Sequence, residues 1–403
     1  MDFPAQVASG TRRDAARSYP APASPGSFDM RQALTPSRLT MLMWDQAFLL
    51  RHHPGGSFAD YPKVLDETLE RGYNTVRLDT MPQWIGLDDP DRILHWDDPK
   101  KPFLPWDWNC EVEAPAGRWL IDFMEQLRAR DLYYTLSCWW SATNGPAFRC
   151  AYPENHVQAA EVWAAYLEDW RSRFGFDGLV YVDLQNECPF FIEGYKQRFE
   201  QETGHAWDEL PRFSDAQVAW LAADLNPAMK LLHRAFPELR FTVSIHGDTR
   251  WLDVPLEFDC LDVHFYADAD PRWRERTKMH DHFAHMTTSD HWFKDYSDRC
   301  TATHRVMAPM LRARQRDKLF AFADWAQRRG MPLTTTESWA SWFYIDHPDL
   351  DWGWLLEWAG WSVEDALDAN MWGWTPHNYG QPQFANWHDV KWHQRLTGRF
   401  LNG

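Results

Sequence analysis

The feature that most constrains this chain is an alternation. From residue 39 onward, short apolar runs take turns with longer amphipathic stretches. The short runs are Leu39–Trp44, Thr75–Asp79, Tyr133–Trp139, Leu179–Leu184, Phe241–Ile245, Leu261–Phe265, Leu333–Thr336 and Met371–Trp374. They are β-branched or aromatic at their centres and bounded by polar residues or glycine, as strands are. Between them lie helical patterns over 60–71, 116–130, 155–173, 214–235, 309–329, 352–369 and 387–397. Pro62 and Pro115 sit near two helix starts, where a missing N–H costs nothing. Gly72 and Gly330 follow helices, as C-terminal caps do. Eight runs with helices between them predict an α/β fold, a (β/α)8 TIM barrel, over residues 38–403. A doubly wound open sheet would carry a glycine-rich phosphate loop after its first strand. Here the first run enters Trp44-Asp45-Gln46, which has none. The least defined step is from the fifth run to the sixth, where residues 246–259 hold at most one short turn. Long insertions follow the second run (81–114) and the sixth (267–308), on the barrel face where chemistry occurs.

Residues 1–37 are rich in Ala, Pro, Ser and Arg without hydrophobic periodicity and are expected to form a flexible tail. They lack the apolar stretch of about 7–15 residues that an export signal requires. The expectation is therefore a cytoplasmic protein with free thiols. No stretch approaches the roughly 20 apolar residues of a membrane span. The formal charge of −17 argues against nucleic acid, whose phosphates need basic patches. Six cysteines without a CxxC pair offer neither a zinc nor a redox site, and no cofactor is expected.

In a barrel the C-terminal ends of the strands carry the active site. Those ends supply Arg77 and Asp79; Trp139 and Trp140; Asp183 to Pro189; His246 and Asp248; Asp262 to Tyr266; Thr334 to Trp339; and Trp372 to Asn378. Two glutamates stand out, Glu187 after the fourth run and Glu337 after the seventh. A lone glutamate there is an ordinary surface residue. A pair is what glycoside hydrolysis needs, one carboxylic acid to protonate the leaving oxygen and one carboxylate to attack the anomeric carbon. Asn186 is placed to hold a sugar 2-hydroxyl, and Tyr266 to orient Glu337.

Asn186-Glu187, His264-Phe265-Tyr266 and Glu337, in this order on the fourth, sixth and seventh runs, resemble clan A of the retaining glycoside hydrolases, cellulase-like and near family five. Arg77 matches that family's arginine on strand two; Trp374, or Trp372 of the same parity, matches its tryptophan on strand eight. The likeness runs from about residue 39 to the end. Cys138-Trp139-Trp140 stands where many relatives have a histidine, and Thr-Glu-Ser-Trp replaces the commoner Gly-Glu-Phe. Both differences bear on the substrate rather than the reaction. The resemblance implies Glu337 as nucleophile and Glu187 as general acid/base, with retention of configuration. Arg77 would keep Glu337 charged, and burial against aromatic walls should raise the pKa of Glu187.

The chain holds 26 Trp, which suit both core packing and the apolar faces of sugars. Trp163, Trp170, Trp220 and Trp325 lie at helical spacing and should pack. Trp84, Trp96, Trp106 and Trp108 lie after the second run, where nothing obliges burial. Trp339, Trp342, Trp372 and Trp374 crowd the last two runs. Trp374 is expected to floor the subsite beside the scissile bond, with barrel filling left to one of Trp372 and Trp374. Trp139, His246 and Asp45 complete the expected substrate contacts. His280, His282, His285 and His291 cluster after the sixth run at a spacing that fits no closed zinc pattern. The reading is a retaining, metal-free glycosidase for a carbohydrate substrate, exo-acting because the two insertions wall the cleft. A transglycosylase with the same residues and a non-catalytic carbohydrate-binding barrel are the alternatives.

Overall fold

The computed structural model describes residues 34–96, 111–140, 152–279 and 292–403. Strands β1 (Leu39–Asp45) and β2 (Thr75–Asp79) pair in parallel and are buried at every position. This is why they read as continuous apolar runs: a barrel stave is covered on both faces. A short antiparallel hairpin, β3 (Leu94–Trp96) and β4 (Val112–Ala114), stands off the barrel. The staves continue with β5 (Tyr133–Ser137), β6 (Leu179–Asp183), β7 (Phe241–Thr242), β8 (Ile245–His246), β9 (Leu261–Tyr266), β10 (Leu333–Thr334), β11 (Ser338–Trp339) and β12 (Gly373–Trp374). One sheet runs β12-β1-β2-β5-β6-β7; in the other, β8, β10 and β11 all pair in parallel with β9. β7 and β8 are two halves of the fifth stave, and β10 and β11 two halves of the seventh. The Trp372 amide donates to Leu333 O at 2.7 Å, and Thr335 N to Gly373 O at 3.3 Å, joining the last two staves. The fold is a (β/α)8 barrel.

The helices form for local reasons. Tyr61–Glu70 begins on Asp60, whose side chain accepts from Lys63 N, with Pro62 in its first turn; Gly72 follows it at φ +79°. His156–Phe174 is capped by Asn155, and Asp215–Ala235 by a reciprocal Ser214/Gln217 box, each satisfying amides the helix leaves open. Ala116–Arg128, Gly353–Asp368 and Val390–Asn402 fall within a few residues of their expected positions. The helix between the sixth and seventh staves departs from expectation. It spans Trp292–Arg329, passing through Pro309, the residue at which the sequence reading started it. Proline removes one interior hydrogen bond, yet so long a helix keeps enough packing on both sides to continue. The expected 267–308 insertion thus contains a helix, Pro271–Thr277, and the first half of this one. Helices Ala47–Leu50 and Tyr195–Thr203 and the β3–β4 hairpin were also not expected. A short 3-10 turn, Thr249–Asp253, fills the linker after the fifth stave.

The N-terminal end of the barrel is closed by Leu39, Met41, Val180, Tyr181, Cys260 and Trp372, with Leu34 against them. The Trp372 indole donates to Pro36 O at 2.8 Å, and Arg38 lies over the Phe400 ring. Of the expected tail, residues 34–37 therefore belong to the barrel floor, and residues 1–33 lie outside the described residues. Among the described residues four cysteines, Cys138, Cys188, Cys260 and Cys300, are free and buried. No described helix is long and apolar enough to cross a membrane.

Candidate active site

Arg77 projects from β2 into the barrel mouth with about 1% exposure and organises the site. Its Nη1 donates to Glu337 Oε1 at 2.8 Å and to Thr336 Oγ1 at 2.9 Å; its Nη2 donates to Asn186 Oδ1 at 2.6 Å and to Asp45 Oδ2 at 3.3 Å. A planar guanidinium can serve four partners at once, which a lysine could not. The carboxylates around it, Asp45 and Glu337 foremost, outweigh its desolvation and hold its pKa above the ordinary value.

Glu337, which is almost fully buried, lies between β10 and β11. Besides Arg77 it accepts from the Tyr266 hydroxyl at 2.7 Å and, more distantly, from Asn378 Nδ2 at 3.4 Å. Asn378 Nδ2 also donates to Tyr266 Oη at 2.8 Å, while its Oδ1 accepts from Ser338 N. Burial, then the charges of Glu337 and Glu187, push the Tyr266 phenol far above its usual pKa, so it stays a donor.

Glu187 follows β6 on a left-handed backbone, φ +50°. Its amide donates to Ser244 Oγ at 2.9 Å, and the Cys188 amide to Ser244 O at 2.9 Å. Ser244 is in turn fixed by Asp183 through both its amide and its hydroxyl. The Glu187 side chain is held from two sides. His264 Nδ1 lies 2.9 Å from Oε1, and His246 Nε2 lies 3.0 Å from Oε2. His264 Nε2 reaches Thr336 Oγ1 at 3.1 Å, and Thr336 is held through its amide and hydroxyl by Asp262. Burial opposes ionisation of Glu187, but the two imidazoles outweigh it, and its pKa lies below the ordinary carboxylate value. This corrects the expected upward shift: the walls nearest the carboxylate are histidines rather than aromatic hydrocarbon. Burial would lower His264, but Glu337, Glu187 and Asp262 raise it to about 9.

Glu187, His264 and Glu337 each place one atom within 4.8 Å of the others. Such a trio could ligate a metal ion. Binding one would have to displace the proton that the surrounding carboxylates hold on His264. Asn186 Nδ2 is buried and meets no acceptor. A cavity of about 470 Å³ adjoins the site, lined among others by Phe190, Trp207, His246, His264, Tyr266 and Lys318.

A family model described as sugar-binding cellulase-like matches residues 41–401. The chain belongs to this cellulase-like family. By structure, this cellulase-like chain is similar to a candidate glycoside hydrolase from Parabacteroides distasonis (24% identity, 90% of this chain and 93% of that one, TM-score 0.73). It also matches a broad-specificity endoglucanase from Clostridium acetobutylicum (11% identity, 94% and 100%, TM-score 0.46). A third match is an endo-1,4-β-D-mannanase from Thermotoga petrophila (10% identity, 84% and 87%, TM-score 0.45). No curated protein matches it by sequence. The cellulase-like resemblance stands, and the family is described as sugar-binding.

The structure brings Arg77, Asn186, Glu187, His246, His264, Tyr266 and Glu337 together, and it moves others away. Trp374 does not floor the site. It is fully buried, its indole donates to Ser362 Oγ at 2.9 Å, and its ring packs on Phe400, between barrel and helices. Gly373 holds the inward position instead, for a Cβ there would come within 2.1 Å of Thr334 Oγ1 and 3.0 Å of Met41 Sδ. Asp45 is not open to a sugar: it has no exposure and serves Arg77 and the Trp139 indole, 2.9 Å away. Trp139 is about 5% exposed with Phe191 packed on it at 4.3 Å. Trp84 and Trp96 are buried edge-to-face against each other, and Trp339 is buried on Thr375 O. Asp248 caps a turn and pairs with Arg250. Trp106, Trp108 and the four clustered histidines lie outside the described residues. Asn378, Asp262, Asp183, Thr336 and Ser244 were given no role from sequence. Asp183, Asp262, Thr336 and Asn378 lie in the strand-end segments that the sequence singles out; Ser244 does not.

Proposed function

We propose that this chain is a retaining glycoside hydrolase in which Glu337 is the nucleophile and Glu187 the general acid/base. The observation that carries the reading is proximity: one oxygen of each glutamate lies within 4.8 Å of the other. Retaining enzymes keep their carboxyls about 5–5.5 Å apart, whereas inverting enzymes leave about 6.5–9.5 Å for a water. The surrounding donors fit these roles. Arg77, Tyr266 and Asn378 all converge on Glu337, so it attacks as an oriented anion. Asn186 Nδ2, unmatched inside the protein, suits a substrate 2-hydroxyl. In the first step Glu337 bonds to the anomeric carbon while Glu187 gives its proton to the departing oxygen. In the second, Glu187 takes a proton from water, which attacks the same carbon and releases Glu337. The long stretches after the second and sixth staves support action from a chain end on oligosaccharides.

The test is Glu337→Ala with added azide. It should abolish turnover, and azide should restore it as a glycosyl azide of inverted configuration. An azide product of retained configuration would make Glu337 the acid/base, and full activity in the variant would end the assignment.

A further inference from the structure

The acid/base has a supply problem. A general acid must carry a proton when the substrate bond breaks, yet the Glu187 carboxylate is flanked by imidazole on both oxygens. The two histidines differ in kind. His264 is completely buried among Glu187, Glu337 at 3.8 Å and Asp262 at 3.6 Å. Three carboxylates surround it, and its side chain has no exposed surface. His246 stands at the rim. Its side chain is 33% exposed, it lines the 470 Å³ cavity, and its ring leans on the half-open Phe190 at 4.8 Å. The groups facing it are Glu187, Tyr266, whose ring centre is 6.2 Å away, and Asp268. Asp268 is a wholly buried carboxylate, neither of whose oxygens meets a donor in hydrogen-bond geometry. Burial foremost pushes Asp268 up to about 7, against the pull of Ser341, Arg274, the Trp342 amide and His246.

We propose that His246 is a positioning residue that stores the acid/base proton of Glu187. The proposal rests on the reading of Glu187 as the acid/base. Before the substrate binds, the one proton that the pair shares sits on the imidazole side. When a leaving group fills the cavity and shields Oε2 from water, the His246 ring turns its Nε2–H, which lies 3.0 Å from Oε2 but off hydrogen-bond geometry, onto that oxygen and the proton crosses. The pair is then carboxylic acid and neutral imidazole, with no net change in charge. Glu187 passes that proton to the leaving oxygen. In the second step Glu187 takes a proton from the attacking water and returns it to Nε2, which closes the cycle.

The experiment compares wild type with His246→Gln, which keeps a donor but cannot titrate. The probes are phenyl and 2,4-dinitrophenyl glycosides of the sugar that the wild type cleaves fastest. A dinitrophenolate departs without protonation; a phenolate needs it. The variant should lose at least about tenfold more kcat/KM on the phenyl substrate, a fraction of the 10²–10⁴ that general acids supply. The basic limb of its kcat/KM–pH profile should move to lower pH, because the proton now rests on Glu187 alone. If His246 acted only as a cation tuning Glu187, its removal would move that limb to higher pH. An upward shift, an unmoved limb or equal losses on both substrates would overturn the store. Thermal melting of the variant and trapping of Glu337 with a 2-deoxy-2-fluoroglycosyl fluoride separate the readings. A folded wild type that is neither labelled nor active on any glycoside overturns the glycosidase reading, and the store with it.

Discussion

Replacing Tyr266 with phenylalanine removes a single oxygen from the surroundings of Glu337, the proposed nucleophile, and the cost can be worked from the contacts. The phenol donates to Glu337 Oε2 at 2.7 Å, a hydrogen bond to a charged group. Such bonds are worth about 1.5–3 kcal/mol, or roughly 12- to 160-fold in rate. Two features reduce the loss. Arg77 still holds Oε1 at 2.8 Å. Asn378 Nδ2, freed of the phenol, can close on Oε2 from 3.4 Å. The expected effect is therefore about tenfold to thirtyfold. Donors on Glu337 stabilise it as a departing carboxylate, so the loss falls on breakdown of the glycosyl-enzyme. With a 2,4-dinitrophenyl glycoside, whose first step is fast, kcat and KM should fall together and kcat/KM should change little. Stopped-flow should show a burst of dinitrophenolate matching the enzyme concentration. An unchanged kcat, or a fall in kcat/KM with no burst, would refute the assigned role of the hydroxyl.

Two further predictions follow from placements the sequence did not reveal. Trp374→Phe loses the donor to Ser362 and should lower stability by about 1 kcal/mol, seen as a drop of a few degrees in Tm, with KM unmoved; a raised KM at unchanged Tm would return the ring to the site. Asp45 is raised to about 8, chiefly by burial, which the Arg77 charge only partly offsets. The folded state therefore holds a proton there that the unfolded chain releases near 3.9. Its contribution is complete below that pH and is lost as pH rises towards 8. Asp45→Asn should flatten this decline, so that its urea midpoint relative to wild type climbs between pH 5 and 8.5. Parallel curves would show that Asp45 is already ionised.

The sequence made the barrel legible because each stave is buried on both faces and so forms an apolar run. The two glutamates were legible because they close such runs. What failed depended on details that period and parity do not encode. Trp372 and Trp374 share parity, but the close approach of Thr334 and Met41 forces glycine to face inward at 373, and Trp374 turns out to the helices. Pro309 read as a helix start because only tertiary packing carries the helix through it. The ionisation of Glu187 was misjudged because His246 and His264 meet it from 59 and 77 residues away, contacts that only the fold creates. Asp262 and Asp183 stand in the expected strand ends but act through other residues, so no role could be read for them from the sequence, and Ser244 leaves no pattern at all.

The backbone of Glu187 has a consequence for descent. A side chain at φ +50° sits in a region glycine and asparagine occupy more comfortably, at a cost of order 1–3 kcal/mol. Under the proposed acid/base role, selection for turnover keeps a glutamate there. A duplicated copy released from that selection would gain stability by exchanging this residue for glycine, while Arg77, Asn186 and Tyr266 still shaped a sugar-sized hollow. On the proposed function, one substitution at this position would therefore leave a more robust barrel that still binds sugar without cleaving it.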